Sequence, residues 1–134
     1  MAHSDTYLVG REKIREYATA IGEQAPICHD VEAAREAGYD DVVAPPMFAA
    51  VYSWRAMGPT VLDPEVGIDF TRLVHGAQEF RWGEPVVAGD EITTETAFVD
   101  KTKRADITVY TFSSRSVNQR GELVSEGTWT NFVR

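Results

Sequence analysis

Residues 45–59 read PPMFAAVYSWRAMGP, a run that is apolar on nearly every side of a helix. Two prolines stand at its start, where helices tolerate them because first-turn N–H groups have no partner within the helix. Gly58 and Pro59 are stop signals at its other end. A helix that is apolar on all faces has to be enclosed by other elements. We therefore expect a central, buried helix over about residues 47–57.

The sequence before this run predicts two more helices. Apolar residues recur at three- and four-residue spacing over residues 11–21, opposite a charged face, and Gly22 follows as a stop signal. A short apolar segment, residues 7–9, precedes this amphipathic helix. Asp30 is a suitable N-cap for a second, shorter helix over residues 31–37.

The sequence after residue 67 loses the helical period and alternates as strands do. Residues 92–99 and 107–112 alternate with a period of two, and residues 123–133 form a third β-rich run. Charged turns over residues 100–104 and 118–122 separate these runs. A helical first half and a strand-rich second half favour a single α+β domain over residues 1–134, with an antiparallel sheet covering the apolar helix.

Composition and charge limit the possible functions. The chain has 134 residues, of which 43% are hydrophobic, and a net charge of −8, which opposes binding to nucleic acid or anionic lipid. One cysteine and three histidines, at positions 3, 29 and 75, lack the spacing of metal ligands, so no metal is expected. No apolar run reaches the roughly 20 residues of a membrane span, and the charged N-terminal segment does not fit a secretory signal. We therefore expect a cytoplasmic protein without a membrane segment.

Four segments carry a resemblance to a known family. They are VGREKIREYA at 9–18, VAPPMF at 43–48, VHGAQEF at 74–80 and EPVVAGD at 84–90. These segments resemble the MaoC-like hydratase/dehydratase family. Within it, they are most similar to the N-terminal dehydratase domain of the type I fatty acid synthase kind, found as the A- and C-type subunits of actinobacterial (3R)-hydroxyacyl-ACP dehydratases. The resemblance covers residues 7–132 and implies a hot-dog fold, in which a curved antiparallel sheet wraps around the central helix.

The resemblance also implies a reaction, the reversible removal of water from (3R)-3-hydroxyacyl thioesters. Active members carry the loop Gly-Asp-x-Asn-Pro-Ile-His-x-Asp, in which the Asp and the His transfer protons and act on the water. The matching loop here is GEQAPICHD at 22–30. Glu23 stands at the Asp position, Ala25 at the Asn position and Cys28 at the His position, while His29 offers an imidazole one position later. A thiol, with its usual pKa of about 8.5, is a poor substitute for an imidazole that exchanges protons near neutral pH.

A third departure from the active pattern lies at the start of the central helix. In active members a backbone N–H there holds the thioester oxygen as it gains negative charge. Those members have His-Gly where this chain has Pro45-Pro46, and Pro46 has no N–H to donate. Together with Glu23 and Cys28, this predicts a chain without catalytic residues of its own.

Each loop residue keeps an alternative role. Cys28 is either a nucleophile or a small, partly buried side chain without chemistry. His29 either transfers protons in a shifted geometry or is an ordinary loop histidine. Glu23 either orients a water or a partner residue, or faces solvent.

Two further sets of residues are candidates for binding. Phe48 and Tyr52, on the central helix, are expected to contact the acyl chain as well as the core. His75 is expected near the substrate or at a subunit interface, with a hydrogen-bonded structural role as the alternative. Three basic residues occupy a predicted hairpin turn: Lys101, Lys103 and Arg104. Their positive charge could steer an acidic carrier protein, and a simply solvated turn is the alternative.

The combined expectation is a non-catalytic, acyl-chain-binding subunit of a heteromeric (3R)-hydroxyacyl-thioester dehydratase or trans-2-enoyl-thioester hydratase, in fatty-acid or polyketide metabolism. The implied partner is a MaoC-like chain that carries the catalytic Asp and His, in a heterodimer or heterotetramer. The substrate would be carried on ACP phosphopantetheine or on CoA, with no other cofactor. The alternatives are a homodimeric hydratase that uses Glu23 or His29, a thioester-binding module without a reaction and, more distantly, a hot-dog thioesterase.

Overall fold

One antiparallel sheet packed on a central helix forms the fold. The computed structural model describes residues 2–134. Its helices are α1 (Arg11–Ala20), α2 (Val31–Glu36) and α3 (Ala49–Val61). Its strands are β1 (Ala2–Leu8), β2 (Leu73–Trp82), β3 (Glu91–Arg104), β4 (Ile107–Val117) and β5 (Leu123–Val133). They lie in the order β1-β3-β4-β5-β2, and every neighbouring pair is antiparallel. This arrangement confirms the expected α+β hot-dog fold.

The central helix forms where the sequence predicts it, but its end lies further along the chain. Pro46–Phe48 make a 3-10 turn, and the α-helix runs from Ala49 to Val61, through Gly58 and Pro59. The predicted end at residue 57 is therefore wrong. An interior proline costs a helix about 3 kcal/mol. The helix nevertheless continues past Pro59, because Gly58, Thr60 and Val61 pack inside the molecule while Pro59 faces solvent.

Helix α3 is also less enclosed than its composition predicts. Trp54 is 52% exposed, and Arg55 beside it is exposed as well. The opposite side of the helix is buried against β1, β3 and β4. One flank of the central helix is therefore open on this chain, which corrects the expectation of a helix covered on all sides.

The sheet has two strands beyond the three β-rich runs of the sequence. Residues 7 and 8 end a full edge strand, β1, whose side chains alternate between exposed and half-buried. Strand β2 contains the whole VHGAQEF segment and forms the other edge. Most residues of β2 are exposed, so its sequence lacks the alternation that identifies the inner strands.

The three basic residues of the predicted turn lie in a strand instead. Strand β3 continues to Arg104, and the turn to β4 consists of residues 105 and 106. Lys101 pairs with Tyr110, and Lys103 pairs with Thr108. The prediction fails because charged residues at an exposed strand end look like a turn in sequence. Side chains alternate across a strand, so Lys101 and Lys103 share one face while Arg104 lies on the other.

Several local predictions are confirmed. Helix α1 is one residue shorter than predicted. Asp30 caps α2, since its carboxylate accepts the N–H of Glu32 at 3.0 Å. The chain turns within residues 118–122, where Gly121 N–H donates to the Asn118 carbonyl. In residues 2–134, no helix has the length and apolarity that crossing a membrane requires.

Candidate functional site

An apolar pocket of about 360 Å³ lies beside the GEQAPICHD loop. The start of α3 and the connection from β2 to β3 form its other walls. Its apolar lining includes Ile27, Val43, Ala44, Phe48, Val86 and Val124. Polar side chains in its lining are Glu23, Cys28, Tyr39, Tyr52 and Glu84. A larger groove of about 760 Å³ on the outer face of the sheet contains none of the predicted site residues. The smaller pocket is therefore the candidate site.

Backbone hydrogen bonds fix the loop against the pocket. Gly22 adopts a φ of 74°, which lets the chain leave α1 sharply, and Glu23 N–H donates to the Ala18 carbonyl at 2.8 Å. The chain then makes a 3-10 turn over Pro26–Cys28. Val43 N–H donates to the Ile27 carbonyl at 2.8 Å, which ties the loop to the segment entering α3. These backbone hydrogen bonds hold the loop in place and do not depend on the identity of its side chains.

Cys28 occupies the position where a proton-transferring imidazole is expected. It is only 4% exposed and lines the pocket. Burial, and to a lesser degree the negative charge of Glu23, raises the pKa of the Cys28 thiol. The thiol is therefore protonated near neutral pH, so it cannot accept a proton, and it is a weak nucleophile because the thiolate is the reactive form.

His29 is turned toward the loop backbone instead of the pocket. Its Nε2 donates to the Glu23 carbonyl at 2.6 Å, because a carbonyl can only accept. The Arg15 Nε donates to the His29 carbonyl at 2.8 Å and holds the residue from the other side. The structure thus gives His29 a loop-stabilising contact, and it is absent from the pocket lining.

At position 46, where the resemblance places the oxyanion-hole donor, this chain has no backbone N–H. Pro46 lines the pocket and has no N–H. The N–H of Phe48 is already used, because it donates to the Pro45 carbonyl at 2.9 Å. Glu23 is then the one carboxylate residue of the loop motif that lines the pocket.

Phe48 and Tyr52 both line the pocket, and both are also core residues. Phe48 is fully buried, with its ring edge-on to that of Tyr17 at 5.4 Å between centroids. The Tyr52 hydroxyl lies 2.7 Å from the Ser125 hydroxyl. Burial raises the pKa of Tyr52 to about 12, so this phenol is neutral and does not act as a base. The two aromatics can form walls for an apolar ligand.

His75 lies apart from the pocket. Its Nε2 donates to the Gln78 side-chain oxygen at 3.1 Å, and its ring stacks on Trp129 with centroids 6.1 Å apart. It sits near the start of β2, whereas the pocket borders Trp82 at the other end of that strand. The seven steps of strand from His75 to Trp82 extend about 23 Å, so the structure does not bring His75 to Glu23 or Cys28.

The basic residues of β3 are also remote from the pocket. None of Lys101, Lys103 and Arg104 lines it. The Lys101 ammonium lies 5.5 Å above the ring of Tyr110, a cation–π contact at the far end of the sheet.

Trp82, Glu84 and Tyr39 are pocket residues that sequence reasoning missed. Trp82 ends β2, and Glu84 follows Gly83 in the connection to β3. Gly83 approaches the backbone of Leu123 so closely that a Cβ there would overlap the Leu123 carbonyl oxygen. A glycine after an aromatic strand end is the one sequence signal that could have pointed to this wall. Among residues 2–134, no three His, Cys, Asp or Glu side chains are grouped so that they could hold a metal ion.

Comparisons with known proteins agree with this architecture. The family described as "FAS1-like, dehydratase domain region" matches residues 1–127. A UPF0336 protein of Saccharopolyspora erythraea is 45% identical over 118 residues, which cover 88% of this chain and 76% of the relative. The truncated HadBC (3R-hydroxyacyl-ACP dehydratase) complex of Mycobacterium tuberculosis contains a chain with 28% identity and a TM-score of 0.85, covering 98% of this chain and 94% of that chain. A MaoC-like dehydratase of Rhodospirillum rubrum is 25% identical with a TM-score of 0.74, covering 99% and 90%.

Proposed function

Because the chain belongs to the FAS1-like dehydratase-region family and has the hot-dog fold of MaoC-like hydratases and dehydratases, we propose that it is the non-catalytic subunit of a heteromeric enzyme. That enzyme removes water from (3R)-hydroxyacyl thioesters or adds it to trans-2-enoyl thioesters. The catalytic Asp and His belong to a MaoC-like partner chain. This chain binds an acyl chain and completes the assembly.

The observation that carries this proposal is an apolar pocket whose lining lacks the groups that the reaction needs. The pocket lies between the loop and the start of α3. Its lining offers a buried, protonated thiol at Cys28 and a proline at position 46. His29 is engaged with the Glu23 carbonyl. Elimination of water needs a proton acceptor, a proton donor and a stabilised thioester oxygen, and this lining has neither a histidine nor a backbone N–H at position 46.

Acyl binding is supported by the size and the lining of the same pocket. Its volume of about 360 Å³ lies within the range of small-molecule sites. Phe48 and Val124 give it apolar walls, and the hydroxyl of Tyr52 is already satisfied by Ser125. An apolar chain entering this pocket leaves no buried hydroxyl of Tyr52 unpaired. The thioester would arrive on ACP phosphopantetheine or on CoA.

A partner subunit is supported by an open edge and an open flank on the same side of the molecule. Strand β2 is an edge strand with unpaired backbone groups, which isolated proteins usually protect. Trp54 is 52% exposed and Trp82 is 49% exposed. Trp54 packs near Trp129, on which His75 of β2 stacks, so the exposed indole borders this edge. HadBC, whose chain is 28% identical, is a complex of two subunits.

Two alternatives use the same fold. A homodimeric hydratase would rely on Glu23, because this carboxylate lines the pocket while His29 does not. A thioester-binding module would bind ligand without activating any partner.

The test uses the complex of this chain with a MaoC-like chain encoded beside it. Glu23→Gln, Cys28→Ala and His29→Ala are introduced one at a time into this chain. We expect kcat for hydration of a short trans-2-enoyl-CoA to change less than about threefold in each complex. Loss of about a hundredfold or more with Glu23→Gln, the size of a missing general acid or base, would favour the self-sufficient hydratase instead.

A further inference from the structure

The end of the sheet opposite the pocket is strongly basic, although the protein is acidic overall. Its net charge is −8 with 13 Lys and Arg residues. Five of these 13 lie at this one end, which we call the basic end: Arg72, Lys101, Lys103, Arg104 and Arg134.

The sheet register brings these five together. Lys103 pairs with Thr108, which in turn pairs with Val133 next to Arg134. Arg134 N–H donates to the Arg72 carbonyl at 3.4 Å, so the end of β5 and the start of β2 lie side by side. The basic end therefore extends from the β3–β4 hairpin across to the open β2 edge.

The charges of the basic end are available to a partner. All five residues are exposed, and none of them forms an ion pair within residues 2–134. The acidic neighbours are Asp69, Asp100 and Asp106. Asp69 accepts hydrogen bonds from Thr71, and Asp100 accepts one from the Thr102 hydroxyl. Five cationic side chains thus lie among three acidic side chains, in a chain where acidic residues otherwise predominate.

The mouth of this chain's own pocket has the opposite character. Glu23 and Glu84 line it, and no Lys or Arg does. The basic end is separated from it by the length of β2, about 30 Å. An acidic macromolecule attracted to the basic end is therefore poorly placed to deliver a ligand to this chain's own pocket.

Edge pairing with a related subunit places the basic end next to a different pocket. Two like edges related by a two-fold axis perpendicular to the sheet run antiparallel. Leu73, at the start of β2, then lies beside the end of the partner's equivalent strand. In this chain that strand end, at Trp82, borders the pocket. The basic end of this chain is thus brought beside the pocket of a partner with the same fold.

We propose that the basic end of this chain is the docking surface for an acidic acyl carrier protein that delivers its thioester to the partner's catalytic pocket. The proposal rests on the proposed function, since it requires the catalytic partner. It assigns the non-catalytic chain a second task, the capture and orientation of the carrier. Opposite charge raises the rate of encounter and fixes orientation, with an effect that falls as salt rises.

The test measures turnover by the two-chain complex with the same trans-2-enoyl group on a carrier protein and on CoA. The variant is Lys103→Glu/Arg104→Glu, at exposed positions of a strand end. The matched control is Lys13→Glu/Arg35→Glu, which makes the same change in net charge on α1 and α2. Circular dichroism and thermal melting check that both complexes are folded.

We expect KM for the carrier-bound substrate to rise about tenfold at low salt in the basic-end variant alone, with kcat retained. KM for the CoA substrate should be unchanged, and the difference should disappear at high salt. An unchanged carrier KM, an equal rise in the control variant or an equal rise with CoA would overturn the docking surface. A wild-type complex that turns over neither substrate would instead contradict the proposed function.

Discussion

At the scale of a residue, Cys28 is the side chain on which the proposed non-catalytic role depends most. It is buried in the pocket wall next to Glu23, and both burial and that carboxylate disfavour the thiolate. The sequence alone identified the position as degenerate. It could not tell that Cys28 and Glu23 face the pocket while His29 faces the backbone, because one position in a loop changes the direction of a side chain.

The first prediction concerns the reactivity of Cys28. Because its pKa is raised in the folded state, alkylation by iodoacetamide should be slow at pH 7.5 and should rise with a midpoint above the free-thiol value of about 8.5. The raised pKa also makes the free energy of unfolding depend on pH. The contribution of the neutral Cys28 thiol is fully present below the pKa of the unfolded chain and is lost as pH rises through the folded pKa. Rates measured from pH 7 to 10 check this. A midpoint below 8 would show an activated thiol.

The second prediction concerns the buried hydroxyl pair at the pocket wall. Tyr52→Phe removes the donor or acceptor of Ser125 while keeping the ring, so the free energy of unfolding should fall by about 1 kcal/mol. Tyr17→Phe is the matched control, since the Tyr17 ring packs on the same Phe48 and its hydroxyl has no hydrogen bond within residues 2–134. Urea unfolding of both variants gives the comparison. Equal losses would mean that the hydroxyl pair contributes nothing specific.

At the scale of elements, the sequence predicts those helices and strands whose apolar pattern matches the face that they bury. Alternation identified most of β3 and β4, and a β-rich composition identified β5, because each of these strands has side chains buried toward the core. The sequence pattern did not identify β1 or show that β3 continues through Lys101. Exposed edge strands and strand ends bury no face, so they need no apolar alternation. Pro59 misled the prediction of the end of α3, because burial of the last turn overrides a local stop signal.

The third prediction compares two glycines that border β2. A Cβ at Gly83 would overlap the backbone of Leu123, whereas a Cβ at Gly76 would overlap the ring of Phe132. A ring can move and a paired backbone cannot. Gly76→Ala should therefore cost about 1–3 kcal/mol of unfolding free energy, and Gly83→Ala should cost more.

The same two glycine substitutions are then made in a protein that carries Phe132→Leu. In that protein, Gly76→Ala should lower the free energy of unfolding less than it does in the wild type, because the smaller side chain leaves room for the new methyl group. The cost of Gly83→Ala should stay the same, since it does not involve residue 132. Chemical denaturation of the wild type, the three single variants and the two double variants measures both differences. A rescue of Gly83→Ala, or none of Gly76→Ala, would contradict the packing described for β2.

At the scale of the molecule, the open flank of α3 and the free edge of β2 lie together. The sequence predicted an enclosed helix, and its composition could not reveal that about half of the Trp54 surface stays exposed on this chain. His75 was expected near substrate or at an interface. The structure places it on β2, stacked on Trp129 and away from the pocket, so the interface is the role we retain as a proposal.

The fourth prediction tests this surface. Trp54→Glu introduces a charge on the exposed flank, so association with the MaoC-like partner should weaken about a hundredfold or more, the size of a lost interface anchor. Leu8→Glu, on the opposite sheet edge and 68% exposed, is the control and should associate normally. Both chains should keep the wild-type circular dichroism spectrum. Analytical ultracentrifugation gives the affinities, and equal binding by both variants would exclude the β2 side as the interface.

The central claim is that this chain has the pocket of a dehydratase without its chemistry. The most direct measurement is hydration of a short trans-2-enoyl-CoA by the purified chain alone and by the chain co-expressed with its MaoC-like partner. The account predicts no turnover by the chain alone and turnover by the complex. Turnover by the chain alone would contradict the account and would return Glu23 to the role of a catalytic base.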